Sequence, residues 1–329
     1  MGFKVEMCVL KSVENLEFKA WRAHLVGDDS EILEQSGGKG AGDQAEASAL
    51  FELLEHAAAV GVLPGSGLKR VDYDFSYSSL DDPLVRYAAQ SRIANGVSFR
   101  RVSSEYGFTQ ETQIFPAAAV DMSSVDYAGC EKKLSAYSSS SGYAAGTDIR
   151  DALLHGINEV IERDATGNAL IESCIHKRSF DSYSVVGDSY LDEQKKLIEK
   201  ALCDHIYLTE IESIGGRTVA AFSERPYLGK RLVGFGTSLN IMYAAERALE
   251  EIIQEMSANE KGETVVDDGG NPDFKVLNRF PNLLHAANLD HPFLIHKTSE
   301  KDFSSGTSDY SRTDNNLIRQ IEGSSGLRV

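Results

Sequence analysis

The sequence predicts a protein of the α+β class. Three long segments have the apolar spacing of helices, whereas the strand-like segments are grouped in an N-terminal hairpin and in a later run of three. Strands and helices do not alternate regularly, as they would in a protein built from repeated β-α-β units. No linker is long enough to require a boundary, so we expect a single domain over residues 1–329.

The N-terminal part predicts a hairpin, a glycine-rich loop and a helix, in that order. Residues 18–35 alternate apolar and polar side chains around the turn sequence GDDS, which is the pattern of two paired strands. The glycine-rich sequence SGGKGAGD follows and predicts a loop. This loop leads into a strongly helical segment from Gln44 to about Val60.

The rest of the chain predicts two more helices with strands between them. A second loop rich in Ser and Gly, residues 135–146, precedes a helix over about 148–174. Residues 204–236 contain the three strand-like segments HIYLTEI, RTVAAFS and RLVGFG, and a third helix covers about 242–257. Between the first and second helices, residues 71–122 mix short strand-like pieces with turns.

The C-terminal part has few strong signals. The polar segments 259–271 and 304–314 predict a loop and a disordered stretch. Residues 315–322 have the pattern of a short amphipathic helix, and a glycine-containing turn and the first residues of a strand follow it. From this ending at Val329 we expect that the C-terminal part of the domain is missing.

Charge and hydropathy argue against several classes of function. The chain has 50 acidic and 33 basic residues, a net charge of −17 and no segregated basic patch, so nucleic-acid binding is not expected. The sequence has no apolar run of about 18 residues and no signal-peptide pattern, which predicts a cytoplasmic protein without a membrane span. The four cysteines are scattered without metal-site spacing, which is typical of free thiols.

Each of the three helices carries an acidic residue followed three positions later by Glu or Gln. These pairs are Glu52 with Glu55, Glu159 with Glu162, and Glu251 with Gln254. Positions i and i+3 share a helix face, so each pair can direct two oxygen atoms to one point. In the first two helices the pairs stand among apolar residues, where an uncompensated carboxylate is costly and Mg²⁺ would neutralise it. A surface helix whose glutamates face water would give the same pattern.

Two further features point to phosphate. The two glycine-rich loops precede two of the acidic helices, whose N-terminal amides would bind anions, although flexible turns are the alternative. The first loop is not a Walker A motif, because Leu33 stands where glycine is required and Gly40 follows Lys39. Arg163 and Arg247 each lie close to one acidic pair, and each could bind a carboxylate of its own helix or a phosphate.

Three segments resemble the nucleotide-binding motifs of the YcaO-domain family. The segments are GGKGAGDQAEASALFELLEH, SSSGYAAGTDIRDALLHGINEVIERDA and GFGTSLNIMYAAERALEEIIQ, in the order and approximate spacing of the family. The resemblance implies a YcaO-like fold with mixed β-sheets and a site for ATP and Mg²⁺ built from helices. The magnesium ligands that it implies are Glu52, Glu55, Asp151, Glu159, Glu162 and Glu251. The nucleotide contacts that it implies are Lys39, Ser48, Arg163, Arg247 and Gln254.

The resemblance also implies a reaction and its partners. We expect an ATP-dependent cyclodehydratase that phosphorylates backbone amides of a ribosomally made precursor peptide to form azolines, the step that yields thiazoles and oxazoles in bacteriocin maturation. A separate leader-binding partner, ThiF-like, is expected. The alternatives are thioamide formation with a TfuA-type partner and a non-catalytic scaffold subunit. We also consider a homodimer, and no residue is assigned to the chemical step.

Overall fold

The described elements combine three β-sheets with six helices, which confirms the α+β class. The computed structural model describes residues 2–11, 13–63, 70–71, 99–103, 112–120, 129–135, 138–185, 188–228, 231–260 and 294–303. In chain order the elements are β1 (Lys4–Lys11), β2 (Phe18–Val26), β3 (Ile32–Ala41), α1 (Gln44–Ala59), β4 (Arg70–Val71), β5 (Phe99–Ser103), β6 (Thr112–Pro116), α2 (Ala117–Val120), α3 (Gly129–Ser135), α4 (Ile149–Cys174), β7 (Ser179–Ser184), α5 (Ser189–Leu202), β8 (Ile206–Ile211), β9 (Arg217–Ser223), β10 (Val233–Ser238), α6 (Ile241–Glu260) and β11 (Leu294–Asp302).

The chain divides into two units, Met1–Leu53 with Ala144–Val329 and Leu54–Tyr143. The first unit contains an antiparallel sheet in the order β1-β2-β3 and a five-stranded sheet in the order β10-β9-β8-β7-β11. In the five-stranded sheet only β11 runs parallel to its neighbour, β7. The second unit contains the antiparallel sheet β4-β5-β6. The single domain expected from the sequence stays a prediction.

Helix α6 is the central packing element of the first unit. Its apolar residues share one core with inward-facing residues of β2 on one side and of β9 on the other; among them are Ala248, Leu249, Ile252, Ile253, Phe18, Ala20, Val219 and Ala221. Helix α4 covers the opposite face of the five-stranded sheet, where Ala165 and Ala169 pack against Ala220 and Phe222. Alternate residues of β9 therefore face two different helices, as the two-residue period of a strand requires.

Glycines allow two helices to lie directly on the backbone of two strands. A Cβ atom on Gly38 of β3 would stand 2.0 Å from the backbone N of Ala49 in α1. A Cβ atom on Gly236 of β10 would stand 2.2 Å from the carbonyl oxygen of Ala244 in α6. Both distances are far below a non-bonded contact, so only glycine permits this approach. Side chains that come after Ala49 on α1 and after Ala244 on α6 are thereby brought close to strands β3 and β10.

Most of the long elements predicted from the sequence are present. The hairpin, the three acidic helices and the three strands of residues 204–236 are confirmed as β2 with β3, as α1, α4 and α6, and as β8 to β10. Helix α4 begins where expected because Asp148 caps it, accepting hydrogen bonds from the backbone N–H groups of Arg150 and Asp151 at 2.8 and 2.9 Å. Strands β1 and β7 and helix α5 were not predicted.

The first predicted glycine-rich loop is wrong, because residues 36–41 belong to strand β3. Gly38 serves the contact with α1 and Gly37 lies against Gln254 of α6, whereas Gly42 stands in the turn before α1 with a φ of +56°. Helix α6 extends to Glu260, so the loop predicted for 259–271 is wrong for its first two residues. The remainder of that segment, and the predictions for 304–329, lie outside the described residues. None of the described helices is long and apolar enough to cross a membrane.

The contact between Gly38 and α1 can be tested by one methyl group. Gly38→Ala should lower the free energy of unfolding by about 2–4 kcal/mol, because the new Cβ atom would overlap backbone atoms that move only with the whole helix. Gly167→Ala is the matched control, since a Cβ atom there meets nothing within 4 Å on α4. It should raise the free energy of unfolding by about 0.5–1 kcal/mol. Urea unfolding measures both, and equal effects would contradict the packing.

Candidate functional site

An ion pair between β3 and α6 lies at the centre of the site. Lys39 Nζ stands 3.2 Å from Glu251 Oε1, and the two side chains are 15% and 27% exposed. The other carboxylate oxygen, Glu251 Oε2, accepts a hydrogen bond of 2.6 Å from the backbone N–H of Phe235. Phe235 lies in β10, the end strand of the five-stranded sheet. Glu251 therefore connects both sheets of the first unit through one side chain.

A second ion pair lies next to the first on α6. Arg247 Nη1 donates hydrogen bonds to Glu250 Oε2 at 2.7 Å and to the carbonyl oxygen of Lys39 at 3.4 Å. Glu250 is 1% exposed and also accepts a hydrogen bond from the backbone of Ala41. Burial disfavours the charged form of Arg247, but the combined attraction of Glu250, Tyr243, Glu162 and Glu251 outweighs it and raises the pKa of the guanidinium. Arg247 is thus a permanent positive charge held against β3.

Glutamates from two other helices interact with these cations. Glu52 of α1 and Glu162 of α4 both attract Lys39 and Arg247, and both are repelled by Glu251. Burial raises the pKa of Glu52 to about 7, and burial likewise raises the pKa of Glu162. Lys39 and Arg247 only partly offset the effect of burial on these two pKa values. Glu52 and Glu162 are therefore partly protonated near neutral pH.

Helix α4 contributes further charged and polar groups to the same environment. Glu159 adds to the repulsion at Glu52 and pairs at 3.4 Å with Arg163 on its own helix. His155 interacts with Arg247, Glu159, Asp151 and Lys39. Desolvation and the charge of Arg247 lower its pKa, so the imidazole is neutral at pH 7. We call Lys39, His155, Glu52, Glu159, Glu162, Arg247, Glu250 and Glu251 the charged cluster.

The structure brings together most of the site residues predicted from the sequence. Lys39, Glu52, Glu159, Glu162, Arg247 and Glu251 interact as described. Gln254 lies against β3, because its Nε2 atom would stand 2.8 Å from a Cβ atom on Gly37. Arg247 binds Glu250, one of the two outcomes that the sequence left open for this arginine.

The other predicted site residues occupy less central positions. Asp151 is exposed and accepts hydrogen bonds from the backbone N–H and the hydroxyl of Thr147 at 3.1 and 3.2 Å, in the first turn of α4. Arg163 is 62% exposed and pairs with Glu159, the helix-internal partner that the sequence allowed. Ser48 and Glu55 flank Glu52 at about one helical turn on α1.

Two members of the charged cluster, His155 and Glu250, were missed from the sequence. His155 lies four residues after Asp151 and four before Glu159, so the spacing of one helix face could have identified it. Glu250 had no such signal, because its burial depends on the contact between α6 and β3. Its two partners, Arg247 and Ala41, give it a structural role.

The donor chemistry of the charged cluster fits Mg²⁺ and a triphosphate. Five glutamates stand with the three cationic side chains Lys39, Arg163 and Arg247, so the site has two more carboxyl groups than cations. Oxygen ligands with such an excess are what Mg²⁺ prefers. Among the described residues, however, no group of three or more His, Cys, Asp or Glu side chains is spaced closely enough to hold a metal ion. The ligand roles expected from the sequence therefore stay predictions.

The sequence matches one protein family over most of its length. Residues 37–324 match the family described as YcaO cyclodehydratase, ATP- and Mg²⁺-binding. No curated protein matches the chain.

Solved structures share the fold. A YcaO protein from Methanopyrus kandleri bound with AMPPCP and Mg²⁺ is 21% identical, with a TM-score of 0.59 over 84% of this chain and 68% of that chain. A heterocyclase in complex with substrate and cofactor is 18% identical, with a TM-score of 0.64 over 98% of this chain and 46% of that chain. The E. coli microcin synthetase McbBCD complex with pro-MccB17 bound is 14% identical, with a TM-score of 0.61 over 96% and 81%. This chain thus spans less than half of the heterocyclase.

The raised pKa of Glu52 predicts a pH-dependent stability. The folded protein retains this proton up to about pH 7, whereas the unfolded chain releases it near 4.5, so the folded state loses stability as the pH rises between these values. Glu52→Gln has no such proton. At about pH 8, without divalent cations or nucleotide, this variant should be more stable than the parent by about 1–3 kcal/mol, and the difference should disappear near pH 4.5.

Urea unfolding across this pH range measures the effect. The control is Glu46→Gln, an exposed position in the first turn of the same helix, which should change the free energy of unfolding by less than about 0.5 kcal/mol at every pH. A difference between Glu52→Gln and the parent that stays constant from low to high pH would contradict the assigned pKa shift.

Proposed function

Because the chain belongs to the YcaO family, which uses ATP and Mg²⁺, we propose that it is an ATP-dependent cyclodehydratase acting on backbone amides of a ribosomally made peptide. The family resemblance predicted from the three motifs is confirmed, and so are the two cofactors. The observation that supports the reaction is the charged cluster, in which buried carboxylates outnumber cations. A polyanionic nucleotide binds such a surface only together with divalent cations.

The residues proposed to hold these groups are those of the three motifs. The proposed magnesium ligands are Glu52, Glu55, Asp151, Glu159, Glu162 and Glu251. The proposed nucleotide contacts are Lys39, Ser48, Arg163, Arg247 and Gln254. When bound, ATP with Mg²⁺ supplies a phosphoryl group that converts a poor leaving group, the amide oxygen, into a good one.

The protein holds the charged side chains of the site in position before the nucleotide binds. Arg247 is fixed by Glu250 and by the carbonyl oxygen of Lys39, so its guanidinium needs little reorganisation to meet a phosphate. Lys39 interacts with Glu251, Glu52 and Glu162 at once and reduces their mutual repulsion. Neutral His155 and Gln254 supply polar atoms beside these charges without altering the balance. In such a site, positioning and charge neutralisation carry the catalysis.

The peptide substrate and a partner protein complete the proposal. Two solved structures with a similar fold have such groups bound: the McbBCD microcin synthetase complex has pro-MccB17 bound, and the heterocyclase is in complex with substrate and cofactor. We propose a precursor peptide as the substrate of this chain and a ThiF-like protein as its separate leader-binding partner.

The mass of the peptide product tests the reaction. With precursor peptide, partner, ATP and Mg²⁺, the protein should remove one water mass per modified residue. Glu162→Gln should lower this rate by about 100-fold, because it removes a proposed metal ligand. Glu172→Gln is the control on the same helix, at a surface ion pair with Arg178 where the carboxylate is 39% exposed, and should keep the parental rate. A gain of sulfur in place of oxygen would assign thioamide formation instead.

Nucleotide binding separates an enzyme from a scaffold subunit. A non-hydrolysable ATP analogue with Mg²⁺ should bind the parent protein and raise its free energy of unfolding by about 2.7 kcal/mol at a concentration 100 times the Kd. The same analogue without Mg²⁺ should bind far more weakly, because the carboxylates then repel the phosphates. Calorimetry and urea unfolding measure these effects. Binding that is absent, or equal with and without Mg²⁺, would contradict the proposed function.

A further inference from the structure

One buried polar atom of α4 has no hydrogen-bond partner. The side-chain oxygen of Asn158, Oδ1, is shielded from solvent, and no donor in the described part of the chain lies within bonding distance. A buried carbonyl oxygen that lacks a donor destabilises the folded state, and such atoms are rare in native proteins. The position of Asn158 explains what could satisfy it.

Asn158 lies on the face of α4 that carries the charged cluster. It follows His155 by three residues and precedes Glu162 by four, a spacing that places the three side chains one above another on the helix. On its other side, Ile161 is 1% exposed and packs with Leu154, marking the apolar contact of α4. Asn158 therefore lies at the border where this apolar contact meets the carboxylates, which accounts for the burial of its oxygen.

We propose that Asn158 Oδ1 is an additional oxygen ligand for the Mg²⁺ bound by the charged cluster, an inference that rests on the proposed function. An amide oxygen only accepts hydrogen bonds, and so do phosphate oxygens at neutral pH, so the two do not bind each other directly. A cation is the complementary group for both. Mg²⁺ takes oxygen ligands, and amide carbonyls are among them.

A neutral ligand also suits the charge balance of this site. Counted with Arg163, the charged cluster has two more carboxyl groups than cationic side chains, and Glu52 and Glu162 repel Glu251. A further carboxylate at position 158 would increase this repulsion wherever no cation is bound. An asparagine adds an oxygen atom to the coordination of Mg²⁺ without that cost, whereas a leucine, which has the same branching at Cγ, adds none.

Asn158→Leu tests the role in two measurements. Without divalent cations, the variant should have a higher urea midpoint than the parent, because an unsatisfied buried oxygen is replaced by apolar atoms. In titrations of MgCl₂ at a fixed concentration of a non-hydrolysable ATP analogue, its Mg²⁺ affinity should be about tenfold or more lower. If Asn158 Oδ1 instead accepted a structural hydrogen bond, Asn158→Leu would be less stable than the parent, so the two measurements together separate a metal ligand from a packing residue.

Two further variants complete the test. Asn168→Leu makes the same change at an exposed site of α4, where the amide donates to Asp164 Oδ2 at 3.2 Å, and should leave the Mg²⁺ affinity at the parental value. Asn158→Asp keeps an oxygen atom in place, so it should retain Mg²⁺ binding while lowering the urea midpoint measured without divalent cations.

The outcomes distinguish this inference from the proposed function. If the parent binds Mg²⁺ with the ATP analogue and Asn158→Leu binds it equally well, or is less stable or unfolded, the role of Asn158 is refuted and the proposed function stands. Loss of Mg²⁺ binding in Asn158→Asp would likewise refute the role of Asn158. If the parent itself binds neither Mg²⁺ nor the analogue, both fail.

Discussion

The ion pair between Lys39 and Glu251 is the interaction on which the arrangement of the site depends. It joins an end strand of one sheet to the helix packed between the two sheets, and the second oxygen of Glu251 binds the backbone of β10. Both side chains are largely removed from solvent, so the loss of either would leave the other charge poorly compensated. One carboxylate thereby holds β3, α6 and β10 in a fixed relation, and the charges of α1 and α4 meet around it.

The buried carboxylates of the first unit differ in how completely they are satisfied. Glu250 has its own arginine and a backbone donor from Ala41, which offset only part of the burial that raises its pKa. Glu52 and Glu162 share their cations with Glu251, and burial leaves their pKa values raised. A fold that needed only stability would not retain such groups, and shifted pKa values of this kind concentrate at functional sites. What separates Glu250 from the glutamates proposed to bind metal is its direct hydrogen bond from Arg247, and not the direction of its pKa shift.

The sequence predicted the elements whose signals are local. Helices α1, α4 and α6 were located to within a few residues, because their apolar spacing extends over many turns and Asp148 caps α4. The glycine-rich loop was wrong for the opposite reason. Gly38 stands in a strand, and what requires glycine there is the approach of the backbone of Ala49 in the helix that follows. A contact of that kind leaves no periodic pattern from which to predict it.

Some members of the charged cluster could be predicted from the sequence, and others could not. The spacing of acidic residues identified the correct face of each helix, yet on α4 it selected only charged side chains and so passed over the neutral groups on the same face. His155 and Asn158 lie at helical spacing from Glu162, and following the whole polar stripe of α4, rather than its charges, would have found both. Glu250 could not be predicted from the spacing along a helix, because its burial depends on the contact between α6 and β3. What a helix face contains is thus a local property, whereas what it meets is set by the packing of strands and helices far apart in sequence.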